Sequence, residues 1–264
     1  MCIRDSKYLL VMNLFKLTLR SLFARKAWVV ALFSVGALPF ILPILVPTHF
    51  AIGLVEPSRA QAAWVLLWIV TVFWLFGEGA RQGEQNVRSG VGAYFGSQGQ
   101  GAIRQLFEIW LSHVLVLVPL VLTVVAVCCL GAAPQAGVGS WVVTNLQYGV
   151  LFLLVTLPLL MLAIALGSRF GTLISYLIVV GLALYGLYGV GYLELATKVE
   201  GNELIRLLYT ISPQYHLGDL TERLLFQLGH LKASLFLNIS LYLGGLSLIT
   251  FAGSLVTYRS TANA

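Results

Sequence analysis

Few side chains in this sequence are of the types that do chemistry, and their spacing builds none of the familiar sites. Metal-dependent hydrolysis would need an HExxH helix, acyl transfer a GxSxG elbow, and ATP binding a GxxxxGK[ST] loop. None of the three is present. The glycine-rich stretch Gly96-Ser97-Gln98-Gly99-Gln100-Gly101 has no lysine after it and reads as a flexible turn. Cys128 and Cys129 are neighbours inside an apolar run, with no CxxC spacing and no histidine set nearby. They read as small buried hydrophobes, and with Cys2 they are too few to fix a redox compartment. Of the four histidines, only His113 falls inside a long apolar run, where packing or an interfacial position is its expected role. Carboxylates that would mark a proton or ion path through lipid are scarce in these runs.

Two polar segments remain. Residues 78–108 carry three acids, Glu78, Glu84 and Glu108, and three arginines, Arg81, Arg88 and Arg104, among many small residues. Within them residues 91–95 run from Val91 to the aromatic pair Tyr94-Phe95. A short helix there, with exposed aromatics and Arg88 beside it, would suit docking into a groove on a partner. An ordinary solvated loop folding its aromatics back on a membrane surface fits the same residues. The second segment, residues 204–231, contains Ser212-Pro213-Gln214-Tyr215-His216. Leu217, Leu220, Leu224 and Leu225 share one face of a short helix that could dip into the outer leaflet, or form a surface loop with a helical turn.

The elements that must position these segments follow from composition. The chain has 264 residues, 59% apolar and only 10% charged, with a mean hydropathy of +0.90. A soluble domain usually carries about 25% charged residues, so lipid is the solvent that fits. A hydrocarbon core about 30 Å thick needs about 20 apolar residues in a helix. Six runs approach this length: residues 27–45, 61–77, 109–130, 142–166, 172–193 and 233–256. Their length selects helices over barrel strands. The fold class expected is therefore all-α, a polytopic membrane protein with about six transmembrane helices.

The net charge of +6 does not point to nucleic acid, because the basic residues sit in the breaks between apolar runs. Lys16, Arg20, Arg25, Lys26, Arg81, Arg88, Arg104, Arg169 and Arg259 fall on one side of the expected topology. Arg59, Lys198, Arg206, Arg223 and Lys232 fall on the other. The asymmetry places both termini in the cytoplasm. Residues 13–26 form a basic amphipathic helix, with Leu14, Phe15, Leu19, Leu22 and Phe23 on one face and Lys16 and Arg20 on the other. It is expected to lie in the headgroup layer. Residues 1–6, MCIRDS, read as a translated sequencing adaptor, so residues 1–11 are expected to be an artefact or a leader and Met12 a candidate start. One membrane domain accounts for residues 12–259, and residues 260–264 form a short tail.

This order of parts resembles the membrane subunit of ABC-2 type transporters. It comprises a basic interfacial helix, six spans, a Glu-bearing loop with a short helix between the second and third, and an external loop with a Ser-Pro-x-x-His element. The likeness covers residues 12–259 and is most similar from Ser212 through the final span. It implies that residues 13–26 are an elbow helix and that residues 91–95, with Arg88, Val91, Tyr94 and Phe95, are a coupling helix seated on an ATPase subunit. Glu78 and Glu84 would lie near the acid that precedes that helix, and Pro213 and His216 in short external helices above the translocation path. The family's common Gly-Thr-Leu-x-x-Leu-Leu loop and its later proline are missing here. The resemblance further implies a bacterial or archaeal cytoplasmic membrane, no catalysis and no cofactor on this chain, with ATP and Mg on a separate ABC ATPase subunit. A homodimer or a heterodimer with a second permease is expected, and no nucleic-acid partner. An anchoring or assembly subunit is the alternative from another class, and a membrane-embedded lipid-modifying enzyme a further one.

Overall fold

The computed structural model describes residues 13–45, 55–200 and 203–261. The expected leader, residues 1–11, and the last three residues lie outside these. Every regular element among the described residues is helical. In chain order they are α1 (Leu14–Ala24), α2 (Ala27–Gly36), α3 (Leu38–Leu45), α4 (Val55–Arg88), α5 (Val91–Ser97), α6 (Ala102–Gly131), α7 (Val138–Phe170), α8 (Thr172–Val199), α9 (Glu203–Ile211), α10 (Thr221–Leu225) and α11 (Ala233–Thr257). A 3₁₀ turn, Tyr215–Gly218, precedes α10.

Five of these helices, α4, α6, α7, α8 and α11, are long and apolar enough to cross a membrane. The first expected span is not one helix. Its residues divide into α2 and α3 around Ala37, because Pro39 has no amide to donate to the carbonyl of Val35 and so cannot continue the ladder. The second expected span grows at both ends, to 34 residues in α4. At 1.5 Å per residue such a helix is about 51 Å long against a hydrocarbon core of about 30 Å. Roughly 14 residues of α4 must then stand in headgroups or water. The polar last turns from Glu78 to Arg88 are suited to that, with Glu78–Arg81 and Glu84–Arg88 pairs along the helix. Residues 78–88 are thus a continuation of the span and not a loop.

The bundle is built around α7. Its membrane-length stretch is the most buried of the five, and α4, α6, α8 and α11 all pack on it. The tightest crossing is with α4. Gly79 and Gly83 lie four apart on α4, and Ala163 and Gly167 four apart on α7. A methyl group on Gly83 would sit 2.0 Å from the Ile164 carbonyl oxygen, and one on Gly167 would sit 2.1 Å from that of Ala80. The two backbones touch, which only glycine allows. In lipid, helices gain little from excluding apolar surface, so such close packing is a main source of their association.

Farther along the same pair the contact becomes aromatic. Trp64 stacks on Tyr148 with ring centroids 4.0 Å apart, and Trp68 meets Phe152 edge-on at 4.6 Å. Trp64 Nε1 donates to Asn145 Oδ1 at 3.0 Å and Trp68 Nε1 to the Tyr148 hydroxyl at 3.1 Å. These groups have no water to turn to in lipid, so each polar edge is matched within the bundle. By contrast α11 attaches along one narrow edge, where Ser247 Oγ donates to the Leu154 carbonyl at 2.7 Å. Leu248, Ile249 and Val256 on its far side are exposed, as residues facing acyl chains are.

The crossing yields a stability prediction. Gly83→Ala or Gly167→Ala should force α4 and α7 apart and cost about 1–3 kcal/mol, the usual penalty of overpacking. Gly181→Ala, where nothing lies within 4 Å of the added carbon, should be neutral or slightly stabilising. Thermal unfolding in detergent measures both; equal melting temperatures for all three variants would contradict the contact.

Candidate functional site

The polar side chains gather at the two ends of the bundle. The basic end, where α1, α5 and the residues after α11 meet the ends of α4, α6, α7 and α8, holds most of the sequence candidates. Glu78 is 7% exposed. It accepts a forked bond from Arg81, with Nε to Oε2 at 2.8 Å and Nη2 to Oε1, and Arg25 Nη1 lies 3.6 Å away. Arg25 comes from the joint between α1 and α2, where Lys26 takes the left-handed backbone conformation with φ 56°. Glu78 therefore ties α4 to that joint. His113 on α6 is fully buried; its Nδ1 lies 2.8 Å from the Ile109 carbonyl, and its Nε2 meets no polar partner among the described residues.

Glu84 does a different job. Its Oε2 accepts from the Thr172 amide at 2.7 Å and from the Thr172 hydroxyl. A carboxylate from α4 thus caps the first turn of α8, where amides lack helical partners and the dipole favours negative charge. Oε1 receives Arg88 Nε at 2.9 Å. The chain makes room for this by reversing at Gly171, whose φ is +83°.

Two residues farther on, Asn86 is buried and donates to Gln105 Oε1 at 3.0 Å and to the Tyr258 hydroxyl at 2.8 Å. Gln105 in turn donates to the carbonyls of Gly92 and Gln100, both at 3.0 Å. Two side-chain amides thereby join α4, α6, both ends of α5 and the residue after α11. Burial pushes the Tyr258 hydroxyl up from its ordinary pKa, which keeps it protonated in this network. Gly92 passes so close to the Ser260 carbonyl that an added carbon would lie 2.1 Å from it. α1 joins the same end: the Phe15 amide donates to Glu108 Oε2 at 3.2 Å, and Gln82 Nε2 donates to Ser21 Oγ at 3.1 Å. Leu14, Thr18 and Leu22 form the inward face of α1, while Lys16 and Arg20 are exposed.

The aromatic pair on α5 is divided. Phe95 is 5% exposed and belongs to the core, whereas Tyr94 is 38% exposed and points outward. The expectation of two exposed aromatics is corrected, because a seven-residue helix lying across a bundle must bury one face, and Gly92 and Phe95 share it. Val91 is half-buried over a cavity of about 200 Å³ beneath α1. Arg88 and Tyr94 are the outward groups of the predicted set.

At the opposite end, residues 212–231 fold onto the bundle. Tyr148 donates to Asp219 Oδ1 at 2.5 Å, and Asp219 also receives the Thr221 amide at 3.0 Å. Gln147 exchanges two bonds with the backbone of Leu231, giving at 3.0 Å and receiving at 2.8 Å. Leu220 and Leu224 are buried and Leu217 and Leu225 partly buried, but the expected single short helix is not formed: Leu217 lies in the 3₁₀ turn and only Leu224 and Leu225 lie in α10. Pro213 and His216 are partly buried and flank Tyr215, which packs against Gly186 in a π turn of α8. His216 Nδ1 is buried and unbonded among the described residues. Sequence reading did not find Asn86, Gln105, Asp219 or Tyr148. The glycine spacing of α4 and the Glu84–Arg88 interval were signals for the basic end, where Asn86 and Gln105 lie, and no comparable spacing marks Asp219 or Tyr148.

Among the described residues no group of three or more His, Cys, Asp or Glu side chains could hold a metal ion. Cys128 is buried and Cys129 half-buried. The arrangement is thus one of clamps: buried amides and carboxylates that join helices to one another. No protein-family model, curated protein or solved structure matches the chain.

The amide clamp predicts a local effect. Gln105→Leu removes three bonds at once, those with Asn86 and with the Gly92 and Gln100 carbonyls. Limited trypsin digestion should then cut at Arg88 or Arg104, on either side of α5, at least several-fold faster than in the parent chain. Unchanged cutting at both sites would show that α5 is held by Phe95 alone.

Proposed function

We propose that this chain is the membrane-spanning permease subunit of an ATP-driven exporter of the ABC-2 type. The observation that carries the proposal is the mounting of α5. A short helix lies across the basic end, held by the Asn86–Gln105 amides and the buried Phe95, with Tyr94 and Arg88 turned outward. Such a part moves only with α4 and α6, so a push on it shifts long helices as rigid units. That is what a coupling helix must do.

The remaining parts fit the same reading. α1, with Lys16 and Arg20 outward, serves as the elbow helix in the headgroup layer. α2 and α3 together make the first of six crossings, with both termini in the cytoplasm, where the basic residues concentrate. The segment with Pro213 and His216 covers the far end of the path. Chemistry stays on the partner: a separate ATPase binds ATP and Mg, and closes because ATP prefers its closed state. Two permease chains and two ATPase subunits in a bacterial or archaeal cytoplasmic membrane complete the assembly. An anchoring subunit would need none of the rigidity around α5.

Co-expression with the ATPase encoded beside it tests this reading. The parent chain should co-purify with the ATPase in mild detergent, and Tyr94→Ala should reduce the bound ATPase by about fivefold or more, as loss of one well-placed aromatic contact does. Tyr94 is outside the core, so the variant should keep the parent melting temperature. If the parent chain purifies without the ATPase, the permease reading fails.

A further inference from the structure

Beside the amide clamp, on the outer flank of the basic end, the last turn of α4, the α7–α8 turn and the residues after α11 enclose an open cavity of about 300 Å³. Arg88, Arg169 and Arg259 line it, each from a different element, and Glu84 is the one carboxylate among its lining residues. That carboxylate is already committed to Thr172 and Arg88. No carboxylate among the described residues pairs with the side chain of Arg169 or Arg259. Three cationic heads against one occupied acid leave the cavity net positive, with planar donors suited to the oxygens of a phosphate.

The cavity opens where α7 ends and α8 begins, at one end of two helices long and apolar enough to cross a membrane. Directly next to it Phe170, Leu173 and Ile174 are 50%, 70% and 54% exposed, and Leu177 and Ile178 continue the apolar strip along α8. A small soluble anion would use the arginines and leave that strip untouched. A molecule with a phosphate at one end and acyl chains at the other would use both. We propose that this cavity seats the headgroup of an anionic phospholipid, with its chains lying along the exposed face of α8. Basic pockets between helices at a cytoplasmic interface are suited to such headgroups. The lipid would hold the ends of α4, α7 and α11 together from outside, on the side opposite to α1. This inference needs only that the chain is embedded in lipid, so it stands or falls apart from the ATPase.

The test uses the purified full chain in mild detergent, with phosphatidylglycerol, phosphatidylcholine or inorganic phosphate added. Retained lipid is read by native mass spectrometry and stability by the melting temperature. The parent chain should retain phosphatidylglycerol over phosphatidylcholine and melt higher with it, while inorganic phosphate has little effect. Each arginine lost should weaken phosphatidylglycerol retention by about fivefold, so that Arg169→Gln with Arg259→Gln loses about 25-fold. Phosphatidylcholine retention should not change, and Arg206→Gln at the opposite end should behave as the parent. Should the double variant not fold, salt decides on the parent chain: high salt should erase the preference for phosphatidylglycerol. Equal retention of the two lipids by the parent overturns the proposal. So does an undiminished preference in the double variant, or a preference that persists in high salt. An equal rise in melting temperature with inorganic phosphate would assign the cavity to a soluble anion instead.

Discussion

The backbone contact between α4 and α7 is the constraint on which the rest of this molecule rests. Gly83 against the Ile164 carbonyl and Gly167 against that of Ala80 bring two long helices closer than any side chain would permit. In water, a pair of this kind could be held by burying leucines. In lipid that gain is largely absent, and close van der Waals contact with matched polar groups must replace it. Once the crossing is fixed, every group at a given height on α4 has a defined neighbour on α7. Trp64 and Trp68 then meet Tyr148 and Phe152 at one end, and the Phe76–Arg88 turns stand beside Gly167–Phe170 at the other.

Both polar ends hang on that rod. At the basic end α4 presents Glu78, Gln82, Glu84 and Asn86 to four different neighbours: the α1–α2 joint, α1, the start of α8, and α6 with the residue after α11. Breaking the Asn86–Gln105 bond would leave a buried amide oxygen unpaired, which costs more than the bond itself contributes. The end is consequently stiff, and α5 inherits that stiffness through Gln105. At the far end Tyr148 and Gln147, both on α7, hold the 212–231 segment by Asp219 and Leu231. α11 packs on α7 along one edge, is anchored at the basic end through Tyr258, and leaves its apolar far side open to lipid or to another chain.

Much of this was legible in the sequence, and the reasons differ by element. Membrane-length helices were read directly from apolar runs, because length and lack of charge are properties of the chain alone. Their ends were read too short, since the polar turns at 78–88 and 102–108 are helical but fall outside the apolar runs. The split at Ala37 was readable from Pro39 but was masked by the apolar character of residues 27–45. Glu78 and Glu84 were singled out as acids near a partner surface, yet the structure gives them inward work as an ion-pair centre and a helix cap. Tyr94 and Phe95 could not be told apart without knowing which side of α5 faces the bundle. Asn86 and Gln105 are nineteen residues apart, and no local pattern announces that two such amides will pair.

Backbone hydrogen exchange of the chain in lipid nanodiscs, followed by mass spectrometry, tests the central claim most directly. If the α4–α7 crossing is the rod of the molecule, amides in residues 79–87 and 160–170 should exchange far more slowly than those of α1, which lies at the same end. Exchange in residues 79–87 as fast as in α1 would mean that α4 frays beyond the membrane, and the account built on its contact with α7 would be wrong.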